Sequence, residues 1–199
     1  MAFEALKERL EKNGFAVSVF STGEEAAAYL NEQIDGVTVG MGGSMTLSEL
    51  GLQDSLSAHN VLFSHGYSHC APAKAQRMAA TADVYILSAN GIAESTGEIL
   101  NIDGNCNRVS ASLFGHEKVY FVAGKNKVSP DYDSALYRVR NVVAPKNARR
   151  FDRKTPCVTG GRCFDCDSPE RICAALVVLY KKPRIADMEV VLIDEELGF

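Results

Sequence analysis

The amino-acid sequence predicts an α/β protein, a three-layer αβα Rossmann-like domain with a mainly parallel sheet. Short runs rich in β-branched and aromatic residues alternate with stretches whose apolar residues recur at helical spacing. Near-continuous apolar runs are typical of strands covered on both faces, as parallel sheets require. No Pro/Gly/Ser-rich linker divides the 199 residues, so we expect one domain over residues 1–199.

The elements follow in order along the chain. AFEALKERLEKNGF predicts a helix that stops at Asn13 and Gly14, FAVSVF predicts a strand, and Ser21 or Thr22 can cap a helix through AAAYLNEQI. Buried strands are then predicted in GVTVG, NVLFS, DVYILSA, KVYFVAG and EVVLID. Further helices are predicted near APAKAQRMAATA, YDSALYRVRNVVA and SPERICAALVVLY.

Composition and charge exclude several classes of partner. The formal net charge of -4, with acidic and basic residues interleaved, argues against binding nucleic acid or an anionic membrane, and only Lys146 to Lys154 is locally basic. No stretch approaches the roughly 20 apolar residues of a membrane span. The charged amino terminus lacks the features of a secretory signal, so a cytoplasmic location is expected.

The first candidate site is the segment from Gly40 to Thr46, directly after the strand GVTVG. Gly42 and Gly43 allow backbone amides to approach a ligand, and the Ser44 and Thr46 hydroxyls at a helix start favour an anionic group. The alternative is a tight turn in which Ser44 or Thr46 caps the helix. The pattern matches neither a Walker A loop nor a dinucleotide fingerprint.

The second candidate site follows the strand DVYILSA and runs from Ser88 to Arg108. A carboxylate here, Glu94 or Asp103, is our candidate for acid-base chemistry, and Arg108 for recognition of a carboxylate or phosphate. The alternative is hairpin and turn chemistry, because Asn-Gly and Asp-Gly pairs are strong turn formers. Asn90 and Asn105 are the amide side chains predicted, with Arg108, to orient a polar or anionic ligand.

The strongest local signal is a C-x5-C-x2-C-x6-C array formed by Cys157, Cys163, Cys166 and Cys173. Thiolates are the ligands that zinc and iron prefer, so the array predicts an iron-sulfur cluster or a zinc site. Ser168 and Pro169 look like a helix start that places Cys173 one turn into a helix. The alternatives are ordinary reduced thiols or a redox-active Cys163–Cys166 disulfide.

A weaker metal candidate is His65-Gly-Tyr-Ser-His69-Cys70, where three ligand types lie close together after the strand NVLFS. The glycine and the lack of a helical pattern leave the directions of these side chains undefined. We therefore give this segment less weight than the cysteine array.

Several motifs together resemble the lactate-utilization (LUD) domain family, in its free-standing, cysteine-bearing branch. They are GGSMTLSELGL, the segment from ANGIAESTGEILNIDG to NRVS, GKNKV, APKNARR, the cysteine array and the terminal ELGF. The resemblance implies a fold related to the sugar-phosphate isomerase and coenzyme A transferase-like α/β domains. It also implies that the Gly42 to Thr46 loop lines a ligand site. The resemblance adds Asn101 and Asn107 to the expected ligand-binding residues, because they fall with Asn90 and Arg108 on the family's second polar segment, but it carries no catalytic assignment.

Two hypotheses follow from the residues and the resemblance. The first is a cytoplasmic protein of small organic acid metabolism or redox metabolism that binds an anionic organic ligand between Gly42 to Thr46 and Asn90 to Arg108. Its cysteines would hold a metal ion or cluster, with redox proteins as partners. The second is a non-enzymatic binding or assembly subunit in which the cysteines form a structural zinc site. The sequence does not decide whether the chain is an enzyme.

Overall fold

Six parallel strands form the central sheet of a computed structural model that describes residues 3–64 and 71–199. The strands in these ranges are β1 (Ala16–Phe20), β2 (Thr38–Met41), β3 (Val61–Ser64), β4 (Val84–Ser88), β5 (Gly91–Ala93), β6 (Ile99–Asp103), β7 (Lys118–Gly124), β8 (Val128–Ser129), β9 (Ala175–Leu179) and β10 (Asp187–Ile193). The central sheet has the order β1-β10-β7-β4-β2-β3. All its neighbouring pairs are parallel, which confirms the six predicted strands.

The helices include the predicted ones, except that in SPERICAALVVLY, and several short additions. Those described are α1 (Glu4–Lys12), α2 (Gly23–Gln33), α3 (Met45–Glu49), α4 (Leu52–Ser57), α5 (Pro72–Ala79), α6 (Asn107–Ala111), α7 (Tyr132–Arg138), α8 (Ala144–Arg150) and α9 (Pro156–Gly160). A 3-10 turn (Lys125–Lys127) follows β7, and a π-helical turn (Val139–Val143) joins α7 to α8. The Thr22 side chain caps α2 in a reciprocal capping box with Glu25, as its hydroxyl predicts.

Two apolar layers cover the faces of the central sheet. Alternate residues of β7 point to opposite faces, so Phe121 and Val122 belong to different clusters. The Phe121 face packs against α1, α5 and the strands β5, β6 and β9, whereas the Val122 face packs against α2, α3 and α4. This arrangement confirms the predicted three-layer Rossmann-like fold.

A second, smaller sheet was not predicted. Its order is β8-β5-β6-β9, and the pair β5 and β6 is an antiparallel hairpin, which agrees with the alternative of hairpin chemistry in this segment. β9 pairs antiparallel with β6 over five residues, from Asp103 opposite Ala175 to Ile99 opposite Leu179.

The prediction of a helix in SPERICAALVVLY is therefore wrong. Ser168 to Glu170 forms only a turn, and the chain then runs extended into β9. The adjacent β-branched residues Val177 and Val178 favour a strand, and pairing with β6 satisfies the backbone groups that a helix would have satisfied internally. Cys173 consequently lies in extended chain before β9 and not on a helix.

Within residues 3–64 and 71–199, no helix combines the length and the apolar character needed to cross a membrane.

Candidate functional site

The carboxyl ends of four central strands meet at one edge of the sheet. Ser44 and Thr46 follow β2, Ser88 ends β4, Lys127 follows β7, and Phe199 follows β10. The chain leaves β2 toward β3 on one side, while β4, β7 and β10 extend on the other side. Such a switch in strand order opens a crevice beyond the strand ends, where α/β sheets bind their ligands.

The loop after β2 approaches α6 closely. A Cβ atom at Gly42 would lie 2.3 Å from Cγ of Arg108, so a residue with a side chain would displace that arginine. The Ser44 hydroxyl accepts a hydrogen bond from the backbone amide of Leu47 at 3.3 Å and caps α3, as the alternative interpretation predicts. Because α3 has only five residues, the loop supplies close backbone approach rather than a strong helix dipole.

Asn90 and Asn101 hold the β5–β6 hairpin against the end of β4. The Asn101 Oδ1 atom accepts a hydrogen bond from the Asn90 backbone amide at 2.9 Å, and Asn90 Oδ1 accepts one from the Ile102 amide at 2.9 Å. Both side chains are buried. Asn90 also lines a cavity, whereas Asn101 lines neither of the two cavities described below.

Asp103 and Arg108 form a buried ion pair. The Nε atom of Arg108 lies 3.3 Å from Oδ2 of Asp103, and the two side chains are 12% and 8% exposed. Asp103 also accepts hydrogen bonds from the backbone amides of Asn105 and Arg108, both at 3.2 Å, and Arg108 Nη2 donates to the Ile102 carbonyl at 2.9 Å. These contacts orient Arg108 and leave Asp103 engaged as an acceptor.

The main cavity has a volume of about 520 Å³ and a positive lining. Its charged residues are three arginines, Arg108, Arg150 and Arg153, and one carboxylate, Asp103, which Arg108 already neutralises. Polar neighbours come from both predicted segments, and an aromatic ring and a thiol complete the wall. These include Gly42, Gly43, Ser44, Asn107, Asn147, Phe151 and Cys173.

Arg150 lies in the wall of the main cavity, and its described contacts are with neutral groups. Its Nε donates to Oδ1 of Asn147 at 3.2 Å, and its guanidinium lies 4.3 Å from the ring centroid of Phe151. No carboxylate lies within ion-pair distance of it among residues 3–64 and 71–199. Partial burial, and then the positive charge of Arg108, lower the pKa of Arg150. Two like charges facing one cavity create a favourable place for an anion.

A side cavity of about 30 Å³ lies beside the main one and shares Gly43, Ser44 and Arg108 with it. Its other lining residues include Thr46, Ser88, Asn90, Lys127 and Phe199. Lys127 is only 3% exposed, and its Nζ donates to the Phe199 carbonyl oxygen. Burial, and then the charge of Arg138, lower the pKa of Lys127 to about 7.

Most, but not all, of the predicted site residues line one of the two cavities. The residues that line the cavities are Gly42, Gly43, Ser44, Thr46, Asn90, Asp103, Asn107 and Arg108. Glu94 lies instead in the exposed turn between β5 and β6, where its amide donates to the Ser129 carbonyl at 2.8 Å. The acid-base role predicted for Glu94 stays a prediction, and this position does not support it. His65, His69 and Cys70 lie outside the described residues.

Several lining residues were not assigned from the sequence. These residues lie in motifs that contributed to the family resemblance but to which no function was assigned. Lys127 belongs to GKNKV, Asn147 and Arg150 belong to APKNARR, and Phe199 is the last residue of ELGF. The signal that pointed to Arg150 was the locally basic segment Lys146 to Lys154. No local pattern marks Lys127 as buried, because its burial depends on segments distant in the sequence.

The four cysteines of the array are all partly buried free thiols. Cys163 Sγ accepts hydrogen bonds from the Asp165 amide at 3.4 Å and from Arg140 Nη2 at 3.7 Å. Burial raises the pKa of Cys173, and the positive charge of Arg171 opposes this rise. The thiols of Cys163, Cys157 and Cys166 raise the same pKa further, so they lie close enough to Cys173 to affect its charge. Among residues 3–64 and 71–199, however, no three His, Cys, Asp or Glu side chains are grouped to hold a metal ion. Thiols are suitable ligands for zinc or iron, but the described side chains are not arranged to hold either metal.

Comparisons with known proteins agree with this fold. A crystal structure of a DUF162 family protein from Deinococcus radiodurans matches with a TM-score of 0.56 and 12% sequence identity, covering 95% of this chain and 94% of that one. At this identity the similarity concerns the fold alone. No curated protein matches the sequence. The family model of the LUD domain matches residues 3–193, and the chain therefore belongs to the LUD domain family.

Proposed function

We propose that this chain binds a small organic acid of the lactate type, with its carboxylate held by Arg108 and Arg150 in the main cavity. The single observation that carries the proposal is the lining of this cavity, where three arginines face one carboxylate that is already paired. Family membership adds a role related to lactate utilization at the level of the family.

The chemistry of the wall favours a small polar anion over an apolar ligand. Arg108 is held rigidly by Asp103 and by the Ile102 carbonyl, so little side-chain freedom is lost when it binds a carboxylate. Arg150 supplies a second guanidinium from α8, and arginine pairs bind carboxylates through directed, charge-assisted hydrogen bonds. Ser44 and Asn107 add neutral groups that can bind a hydroxyl or carbonyl oxygen.

A thermal-shift screen tests this function. L-lactate, pyruvate and inorganic phosphate are compared with chloride at the same ionic strength. A ligand at 100 times its Kd stabilises the native state by about 2.7 kcal/mol, which raises the melting temperature by several degrees. We expect at least one of the two carboxylates to produce this shift. If every anion matched chloride, the proposal would be wrong.

A second candidate function is that Cys157, Cys163, Cys166 and Cys173 hold a zinc ion or an iron-sulfur cluster. In its favour, all four side chains are free, partly buried thiols within one segment of the chain. Cys163 and Cys166 lie in segments without regular structure, and these segments would have to move for the thiols to hold a metal, because the described side chains are not grouped around one point. Cys173 also lines the main cavity, which would place such a centre beside the anion site.

Metal analysis of anaerobically purified protein tests this second function. We expect stoichiometric iron with visible absorption, or one tightly bound zinc, and we expect the Cys163→Ser/Cys166→Ser variant to lose it with a fall in melting temperature. The matched control is Cys106→Ser, which removes a described thiol outside the array. Equal metal content in the wild type and in the double variant would contradict coordination by the array.

A further inference from the structure

The side cavity contains a primary amine that the proposed binding function leaves unused. Lys127 is 3% exposed and lies among the hydroxyls of Ser44, Thr46 and Ser88. Its Nζ donates to the Phe199 oxygen, and no Asp or Glu side chain within residues 3–64 and 71–199 lies within ion-pair distance of it. The neighbouring Lys125 differs, because it is exposed and pairs with Asp194 at 3.1 Å. A buried amine of this kind is costly to keep and is rarely placed at a cavity wall without a use.

The charges around Lys127 favour its neutral, nucleophilic form. Burial lowers the pKa of Lys127 most, and the positive charges of Arg138, Lys146 and Arg108 lower it further. Glu49 opposes them, and the resulting pKa is about 7. An amine with this pKa is about half unprotonated at neutral pH, whereas an ordinary lysine is almost wholly protonated. Free amines of lowered pKa are the nucleophiles that attack carbonyl carbons in enzymes.

The two cavities adjoin, which brings a ligand bound at the arginines close to the wall that carries this amine. Arg108, Arg150 and Ser44 line both cavities, so a small acid held at the two arginines lies at the border between them. The side cavity, at about 30 Å³, has room for a water-sized group such as a carbonyl. A Cβ atom at Gly198 would lie 2.7 Å from Thr46 Oγ1 and 3.3 Å from Lys127 Nζ, so the hydroxyl and the amine are neighbours on either side of Gly198.

We propose that Lys127 forms an imine with the carbonyl carbon of a 2-oxo acid whose carboxylate is held by Arg108 and Arg150. This inference rests on the proposed function and extends it, because it names the substrate class and the reacting residue. The Nζ lone pair forms the new C–N bond as the C=O π electrons move to oxygen. The two amine protons leave with that oxygen as one molecule of water, and a C=N bond remains. No oxidant or reductant takes part.

The hydroxyls of Thr46 and Ser88 are the candidates to move the proton in this step. The Ser88 hydroxyl donates to Thr46 Oγ1 at 3.2 Å, and Thr46 Oγ1 donates to the Leu197 carbonyl at 3.2 Å. Both hydroxyls are buried and line the side cavity beside the amine. A hydroxyl that both donates and accepts can pass a proton from Nζ to the departing oxygen.

Reductive trapping tests the inference. The whole chain is incubated with pyruvate and cyanoborohydride, and intact mass and peptide mapping locate the product. We expect one adduct, on Lys127, with the mass of one pyruvate less water plus two hydrogens, and none with L-lactate, which has the carboxylate but no carbonyl. The yield should rise as the pH increases through about 7, in step with deprotonation of Lys127.

Variants and the thermal shift separate the possible failures. Lys127→Met should lose the adduct, and Lys125→Met, in the same turn, should keep it; the peptide map of the wild type locates the adduct even if a variant fails to fold. A pyruvate-induced thermal shift without an adduct would overturn imine formation and leave the proposed function intact. An adduct spread over exposed lysines would also overturn it. Absence of both shift and adduct would overturn both proposals.

Discussion

Replacing Arg150 by alanine is expected to weaken the binding of L-lactate or pyruvate by roughly 10- to 100-fold. Hydrogen bonds to charged groups contribute about 1.5–3 kcal/mol, and each 1.4 kcal/mol is a factor of ten in Kd. The fold should tolerate the change, because Arg150 is exposed and lacks an ion pair with the described carboxylates. Isothermal titration calorimetry measures the change in Kd.

The matched control for this prediction is Arg149→Ala. Arg149 is also exposed and precedes Arg150 on α8, but its Nη2 donates to the Val158 carbonyl at 2.8 Å, and it lines neither cavity. We expect wild-type affinity from this variant. An equal loss in both variants would mean that net charge, and not the position of Arg150, decides binding.

Replacing Arg108 by alanine should instead destabilise the fold strongly. The side chains of Arg108 and Asp103 are 12% and 8% exposed, and removing one partner leaves a buried carboxylate without its counterion. Losses of about 3–5 kcal/mol are typical of such a change, and the amides that still donate to Asp103 should keep the loss near the lower limit. Chemical denaturation measures the free energy of unfolding.

A double-mutant cycle separates this charge effect from lost packing. Adding Asp103→Asn to Arg108→Ala removes the unpaired charge, so the second change should cost less in the variant background than in the wild type. Additive losses would contradict a direct coupling between the two side chains. The same variants also show whether the Asp103 charge is needed for binding, since Arg150 and Arg153 remain in the cavity wall.

The central sheet could be predicted because its signals are local. Each parallel strand is a short apolar run bounded by turn residues, and the Gly42 loop follows directly from one such boundary. The second sheet could not be predicted in this way. In SPERICAALVVLY the serine-proline start suggests a helix, and only the distant strand β6 makes the extended form of β9 favourable.

The reactive parts of the site were harder to predict than its loops. Lys127 lies beside Thr46 and Phe199, and Phe199 is 72 positions later in the sequence. No local pattern around GKNKV predicts this contact. Glu94 looked like a carboxylate at a strand end, but the chain leaves the central sheet after β4, and the β5–β6 hairpin carries Glu94 to the surface. The burial of Lys127 and the exposure of Glu94 both depend on where the fold places these residues, and not on their residue types.

The most direct test of an anion site in the arginine-lined cavity compares two ligands that differ in charge. L-lactate and L-lactamide have nearly the same shape, but only lactate carries a negative charge. In calorimetric titrations of the wild-type chain we expect saturable binding of L-lactate that weakens as salt is added, and no measurable binding of L-lactamide. Equal binding of the two ligands would contradict the account, and so would binding of neither ligand if pyruvate also failed to bind.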